Sequence, residues 1–251
     1  MTPAHRPTSP SLASVREFLR LQAEAPRRSL LSRLFGIDPL AKSAAHAYAG
    51  AVAEVEVAQL LDRLGHDWTV LDTVQVDAHE PPVEHVVIGP PGVFSIALRN
   101  HAGERVWVGE RTFIADGTRF PHLRDAEHES DMVAARLSAA SGGAVTVTPC
   151  LVLAAPAELS LRDIARPVEV FTPARLTDWL IDLPRVLSPR VVAGYSAIAL
   201  TADTWHHSPS GWDALTAFDA SSDRAKFEAF RREIARARRL RVGWLLLGIA
   251  L

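Results

Sequence analysis

Three side chains in the middle of the sequence have the types and spacing to do chemistry. Glu84 and His85 are adjacent in the apolar run Val83–Ile88, and Arg99 ends the next apolar run, Val93–Arg99. A glutamate beside a histidine could form a reactive pair. The alternative is structural, because Glu84 and Arg99 could form a salt bridge between adjacent strands. The short connection between the two runs favours the salt bridge.

The elements that would position these residues follow from the spacing of the apolar side chains. Gly89-Pro90-Pro91-Gly92 predicts a hairpin between the two runs. The pattern predicts further strands at 68–76, 105–108, 112–114, 118–120, 145–154 and 168–171, and helices at 44–64, 122–140, 173–182 and 189–201. This order predicts an α/β (α+β) fold with one mixed central sheet flanked by helices.

Two glutamates lie on the helix that precedes the strands. Glu54 and Glu56 are two residues apart, and each helical step turns by about 100°. Only one of them can therefore face the sheet.

The charge is unevenly distributed along the chain. Residues 1–42 carry 7 Lys and Arg against 3 Asp and Glu, and residues 224–251 carry 8 against 2. The segment between them, 43–223, carries 12 against 24. Nucleic-acid binders usually present a basic face, because neutralised phosphates supply most of the non-specific affinity. The acidic centre argues against a large DNA-binding surface and leaves the basic ends as candidates.

The composition also excludes several classes of site. The single cysteine, Cys150, lies in an apolar run and excludes disulfides and cysteine-rich zinc sites. Gly-rich phosphate loops and Gly-x-Ser-x-Gly are absent from the sequence. Residues 1–10 contain three prolines and no apolar run, so we expect no secretory signal and a cytoplasmic protein.

Both ends of the chain are expected to be helical extensions. Residues 1–43 are expected to form a basic N-terminal extension whose helix breaks near Pro26. Residues 202–223 are expected to form a linker, and residues 224–251 a basic helix with an apolar tail. The tail, Val242–Leu251, would cover about 15 Å as a helix and cannot span a bilayer. We expect it to dock on the domain or on a protein partner. Alternatively, it lies at a membrane surface with Arg231–Arg241 meeting anionic headgroups.

Two segments carry a family resemblance. Gly50-Ala51-Val52-Ala53-Glu54 and the segment VEHVVIGPPGVFSI at 83–96 resemble the nuclease-related domain (NERD) family of the restriction-endonuclease-like fold. In that family a helix carries Gly-x-x-Gly-Glu, a strand carries Ile-Asp-His and Gly-Pro, and the next strand carries Gly-Val-Phe and Glu-x-Lys. The segment RVWVG at 105–109 is similar to members from high-GC Gram-positive bacteria (actinobacteria). The resemblance implies a NERD-like domain at 44–201.

The resemblance implies a role for each motif position. Glu54 stands at the helix glutamate, Glu84 at the strand aspartate and Arg99 at the lysine. Ala97 stands at the catalytic glutamate and cannot bind a metal. In the family these positions support metal-assisted phosphodiester hydrolysis, with Mg²⁺ or Mn²⁺ held by the carboxylates.

Three functions follow as expectations. The first is a catalytically degenerate domain, retained for nucleic-acid-linked binding or interaction and needing no cofactor. The second is an active Mg²⁺- or Mn²⁺-dependent nuclease that uses Glu54, Glu84 and Arg99, with a third metal ligand such as Glu104 or Asp77. The third, which the acidic centre favours, is a structural or membrane-peripheral protein with no nucleic-acid role.

Overall fold

A computed structural model describes residues 4–5, 12–26, 28–162, 165–205, 212–246 and 248. Its strands are β1 (Ala4–His5), β2 (Thr69–Val74), β3 (Val83–Gly89), β4 (Gly92–Asn100), β5 (Arg105–Val108), β6 (Phe113–Ala115), β7 (Thr118–Phe120), β8 (Val147–Ala154), β9 (Glu158–Leu161) and β10 (Glu169–Phe171). Its helices are α1 (Ala13–Ala23), α2 (Leu30–Leu34), α3 (Ala45–Leu61), α4 (His122–Ser141), α5 (Pro173–Asp182), α6 (Pro189–Leu200) and α7 (Trp212–Leu246).

Six strands form a mixed sheet in the order β1-β2-β3-β4-β8-β10. The strands β2, β3 and β4 are antiparallel neighbours, and β3 and β4 pair as far as Gly89 and Gly92 at the predicted hairpin. The strands β4, β8 and β10 run parallel to one another. The predicted fold class, a mixed sheet flanked by helices, is confirmed.

A second, smaller sheet was not predicted. Its order is β7-β6-β5-β9, and β9 pairs in parallel with β5. The β6–β7 turn uses Asp116 and Gly117, both with positive φ, as the Asp-Gly signal predicts. We missed β9 because its residues, Glu158–Leu161, lack an apolar run, and its partner strand lies far away in the sequence.

Helices cover the large sheet on both sides. Val57 of α3 and Leu176 of α5 pack against Val87 and Phe94 on one side, which we call the α3 face. On the other side, the α4 face, α4 and α6 pack through Val133, Leu137 and Val192 against Val86 and Ile88. Because successive side chains of a strand point to opposite faces, adjacent residues of β3 and β4 meet different helices.

The two helical extensions pack on each other and on α3. Phe18 of α1, Tyr48 of α3 and Phe227 and Phe230 of α7 form an aromatic cluster with ring centroids 5.2–6.5 Å apart. The predicted break near Pro26 is confirmed, because α1 ends at Ala23 and α2 begins at Leu30. The extensions therefore share a core with the central domain.

Residues 212–223 of the predicted linker segment, 202–223, are helical and belong to α7. The polar composition suggested a loop, but helices are stabilised mainly by packing, and α7 is anchored further along by the buried side chains Phe227 and Ile234. Residues 206–211 lie outside the described residues. None of the helices in the described part of the chain combines the length and apolar character needed to cross a bilayer.

Candidate functional site

The β3–β4 hairpin brings three motif positions to the α4 face. His85 pairs with Ile96, so the next residues outward, Glu84 and Ala97, are neighbours across the two strands. Ala97 packs against Leu123 and Ala126 in the apolar cluster beside α4. Since side chains alternate along a strand, Arg99 lies on the same face as Ala97.

Arg99 lies between two carboxylates on this face. Its Nη2 donates to Glu129 Oε1 of α4 at 2.8 Å, and its Nη1 is 3.6 Å from Glu84 Oε1. The predicted salt bridge between Glu84 and Arg99 is confirmed. The other oxygen of Glu84, Oε2, accepts a hydrogen bond from the backbone nitrogen of Leu98. Both oxygens of Glu84 are thus engaged by groups of β4.

Glu129 is a member of this cluster that we did not predict. Its neighbours Glu127, His128 and Asp131 are polar, yet the Glu129 side chain is only 17% exposed. A signal was present in the spacing, because Glu129 lies three residues after Ala126 and four before Val133, and both are buried. Residues at these spacings share one helix face.

Burial sets the protonation behaviour of the two carboxyls. It raises the pKa of Glu84, while the charges of Arg99 and His85 and the Leu98 hydrogen bond oppose the shift. It also raises the pKa of Glu129, against the charge and hydrogen bond of Arg99. In both residues the increase in pKa caused by desolvation exceeds the decrease caused by the guanidinium of Arg99.

The opposite face of the same strands carries a buried acid–histidine pair. Asp72 of β2 pairs with His85 in the sheet, and Asp72 Oδ1 is 2.6 Å from His85 Nδ1. Burial lowers the pKa of His85, but the Asp72 hydrogen bond and the charges of Asp72, Glu84 and Glu54 outweigh it, so the pKa is raised. Asp72 was not among the predicted site residues, although an aspartate inside the strand TVLDTV was a usable signal.

Glu54 lies beside this pair and is held by α1. As expected for residues two apart on a helix, Glu54 is buried and Glu56 is exposed. Glu54 Oε2 accepts a hydrogen bond from the backbone nitrogen of Val15 at 3.2 Å and so caps the first turn of α1. Burial raises the pKa of Glu54 to about 8, against the hydrogen bonds from Val15 and Ala13.

The close approach of α3 to β4 positions Glu54. A Cβ at Gly50 would lie 2.7 Å from Asn100 Nδ2, so the first glycine of the helix signature allows this contact. Asn100 Nδ2 in turn donates to the carbonyl of His46 at 2.9 Å. Glu54, one turn after Gly50, is therefore directed at the sheet, where its charge acts on Glu84 and His85.

The further ligands considered in the sequence have other contacts. Glu104 Oε2 lies 2.8 Å from His101 Nδ1, and His101 Nε2 lies 2.9 Å from His122 Nε2. Asp77 Oδ1 accepts a hydrogen bond from the backbone of His79 within its own loop. Across the described residues, no three His, Cys, Asp or Glu side chains are grouped in a way that could hold a metal ion.

Comparison with known proteins places these residues in one family. A family model described as "NERD: Nuclease-related domain" matches residues 49–154, from α3 to the end of β8. Comparisons with curated proteins and with solved structures gave no match. The matched segment contains Glu54, Glu84, Ala97 and Arg99, and the sheet that joins them has the predicted mixed topology. Residues 49–154 of this chain are therefore a nuclease-related domain of the NERD family.

Proposed function

We propose that this NERD domain is catalytically degenerate and is retained for nucleic-acid-linked binding or interaction. The observation that carries the proposal is the placement of Arg99 between Glu84 and Glu129. A guanidinium there neutralises Glu84, the carboxylate that stands at the family's metal-binding strand position. The site has become an internal ion-pair network.

The residues on the α4 face do not fit Mg²⁺. This ion needs several oxygen ligands in near-octahedral geometry and gives up its water reluctantly. Ala97 supplies no oxygen, and the oxygens of Glu84 already face Leu98 N and Arg99. A divalent cation beside Glu84 would also be repelled by the guanidinium.

Glu54 supports the same conclusion from the other face. A metal ligand must be deprotonated, but burial holds the pKa of Glu54 at about 8. Its Oε2 is also occupied by the first turn of α1. The helix glutamate of the signature thus serves as a cap that joins the N-terminal extension to the domain.

A cleavage assay tests the proposal. Purified protein would be incubated with linear, supercoiled and single-stranded DNA in Mg²⁺ and in Mn²⁺, beside a Glu84→Ala variant and a matched surface variant, Glu80→Ala. We expect no metal-dependent cutting by any of the three proteins. Cutting that needs metal and is lost only in Glu84→Ala would overturn the proposal in favour of an active nuclease with a rearranged site.

Restoring the family residues gives a second test. The double variant Ala97→Glu, Arg99→Lys returns an acid and a compact ammonium to the strand. We expect it to bind Mn²⁺ in calorimetry, whereas the natural sequence does not. If the natural sequence bound Mn²⁺ as tightly as the double variant, Ala97 and Arg99 would not be the cause of degeneracy.

A further inference from the structure

The helix α2 is fixed on the last turns of α7. Trp244 Nε1 donates to the carbonyl of Leu34 at 2.9 Å, and the rings of Phe35 and Trp244 are 5.6 Å apart. The turn at Gly36 has a φ of +67°, and a Cβ there would lie 2.7 Å from the backbone nitrogen of Arg241. Two segments far apart in the sequence therefore form one continuous surface, which we call the α2–α7 tip (residues 28–37 and 236–246).

Large apolar side chains on the α2–α7 tip point into solvent. Leu30 and Leu246 are each 83% exposed, and Leu31 and Leu245 are 65% and 60% exposed. Within the described residues, most of the exposed large apolar side chains lie on this tip, and its other members are Leu34, Ile37, Leu240 and Val242. Clustered exposure of this kind marks an interaction surface, whereas single exposed apolar residues do not.

The charged side chains within the two segments of the tip are all basic. The two segments of the tip contain Arg28, Arg33, Arg236, Arg238, Arg239 and Arg241 and no Asp or Glu. Arg28 pairs with Glu233, just outside the tip. Arg33, Arg236 and Leu240 line one pocket together with Arg28 and Glu233, so basic and apolar groups of the tip lie side by side.

We infer that the α2–α7 tip docks on the surface of a membrane that contains anionic lipids. Arginine guanidinium groups would meet the negatively charged headgroups, while the leucines enter the acyl boundary to a depth of about 5–10 Å. Trp244, half-buried between the apolar and polar parts of the tip, suits the headgroup level. This partner is independent of the proposed degeneracy of the NERD site.

The charge pattern favours a lipid surface over a second copy of the chain. A dimer through this tip would bring together two groups of six arginines, while the carboxylates that border each tip, Asp38 and Glu233, are fewer. The interleaved leucines also favour lipid over nucleic acid, because phosphate contacts would leave these apolar side chains in water.

Co-sedimentation of the full chain with vesicles tests the inference. We expect the protein to sediment with phosphatidylcholine vesicles that contain phosphatidylserine and to remain in solution with pure phosphatidylcholine. The variants Leu31→Gln/Leu246→Gln and Arg238→Gln/Arg239→Gln should each lose at least about tenfold in partitioning. All four positions are exposed, so both variants should keep the thermal transition of the natural protein.

Matched controls separate the tip from the rest of the surface. Ile181→Gln and Arg190→Gln change an exposed apolar residue and an exposed arginine elsewhere and should leave vesicle binding unchanged. The inference fails if the natural protein does not sediment with phosphatidylserine vesicles, or if the control variants lose as much vesicle binding as the tip variants. It also fails if the tip variants change only DNA binding in a filter assay, or only self-association in sedimentation velocity.

Discussion

The two faces of the β3–β4 hairpin hold similar groups in different ways. On the α4 face, Arg99 lies between two carboxylates, Glu84 and Glu129. On the α3 face, His85 lies beside the carboxyls of Asp72 and Glu54. Arginine keeps its charge at all relevant pH values, whereas histidine can lose its proton. One face therefore has a permanent cation and the other a titratable one.

This difference shows two ways in which the chain offsets the buried carboxyls of one hairpin. Buried carboxylates need a cation or a proton to offset their desolvation. The α4 face uses the guanidinium. The α3 face uses the His85 imidazole for Asp72 and a retained proton for Glu54, whose pKa burial raises to about 8.

The largest expected effect comes from breaking the pair on the α3 face. Replacing His85 with leucine would leave Asp72 buried, at 4% side-chain exposure, without its imidazole partner. We expect a loss of about 3–5 kcal/mol in the free energy of unfolding. Urea denaturation would measure this loss.

The matched control is His79→Leu, which removes a His–Asp pair whose histidine is 94% exposed. It should change the free energy of unfolding by less than about 0.5 kcal/mol. If His85→Leu and His79→Leu lost the same free energy of unfolding, burial of the His85–Asp72 pair would not be the source of its contribution.

Removal of the permanent cation should cost somewhat less. Arg99→Met would leave Glu84 and Glu129 facing each other, but these side chains are 30% and 17% exposed, so water relieves part of the repulsion. We expect a loss of about 2–3 kcal/mol in urea denaturation. The triple variant with Glu84→Gln and Glu129→Gln should regain much of it. Arg105→Met, in a pair whose arginine is 78% exposed, serves as the control. A triple variant less stable than Arg99→Met would show that repulsion is not the cause.

A smaller effect should appear as a pH dependence. The folded-state pKa of Glu54, about 8, is above its ordinary value of 4.5, so the folded state keeps a proton that the unfolded state releases. Stability should therefore fall as the pH rises through this window. Between pH 6 and pH 8 we expect the natural protein to lose about 2 kcal/mol relative to Glu54→Gln, which cannot titrate. Glu56→Gln, at the exposed neighbouring position, should track the natural protein. If the free energy of unfolding of the natural protein and of Glu54→Gln changed in parallel with pH, this prediction would be wrong.

Much of the site was predictable because the hairpin is local. The Gly89–Gly92 turn fixes the register of β3 and β4, and that register makes Glu84 a neighbour of Ala97 and brings Arg99 within reach. The helical period likewise separated Glu54 from Glu56. Glu129 and Asp72 were harder to predict, because each reaches the hairpin only through the packing of another element. Glu129 shares a helix face with buried residues, and Asp72 lies inside a strand. These two features could be interpreted only once the neighbouring elements were known.

The sequence by itself determined most helices, most strands, the hairpin and the family of residues 49–154. Periodicity and turn chemistry depend on residues close together in the chain, so these features can be predicted from short segments of sequence. Tertiary structure decided which cation meets which carboxylate, that α1 is capped by Glu54, that β9 completes a second sheet, and that α2 joins the end of α7. These contacts join residues far apart in the chain, and their energies depend on burial, which only the assembled fold creates.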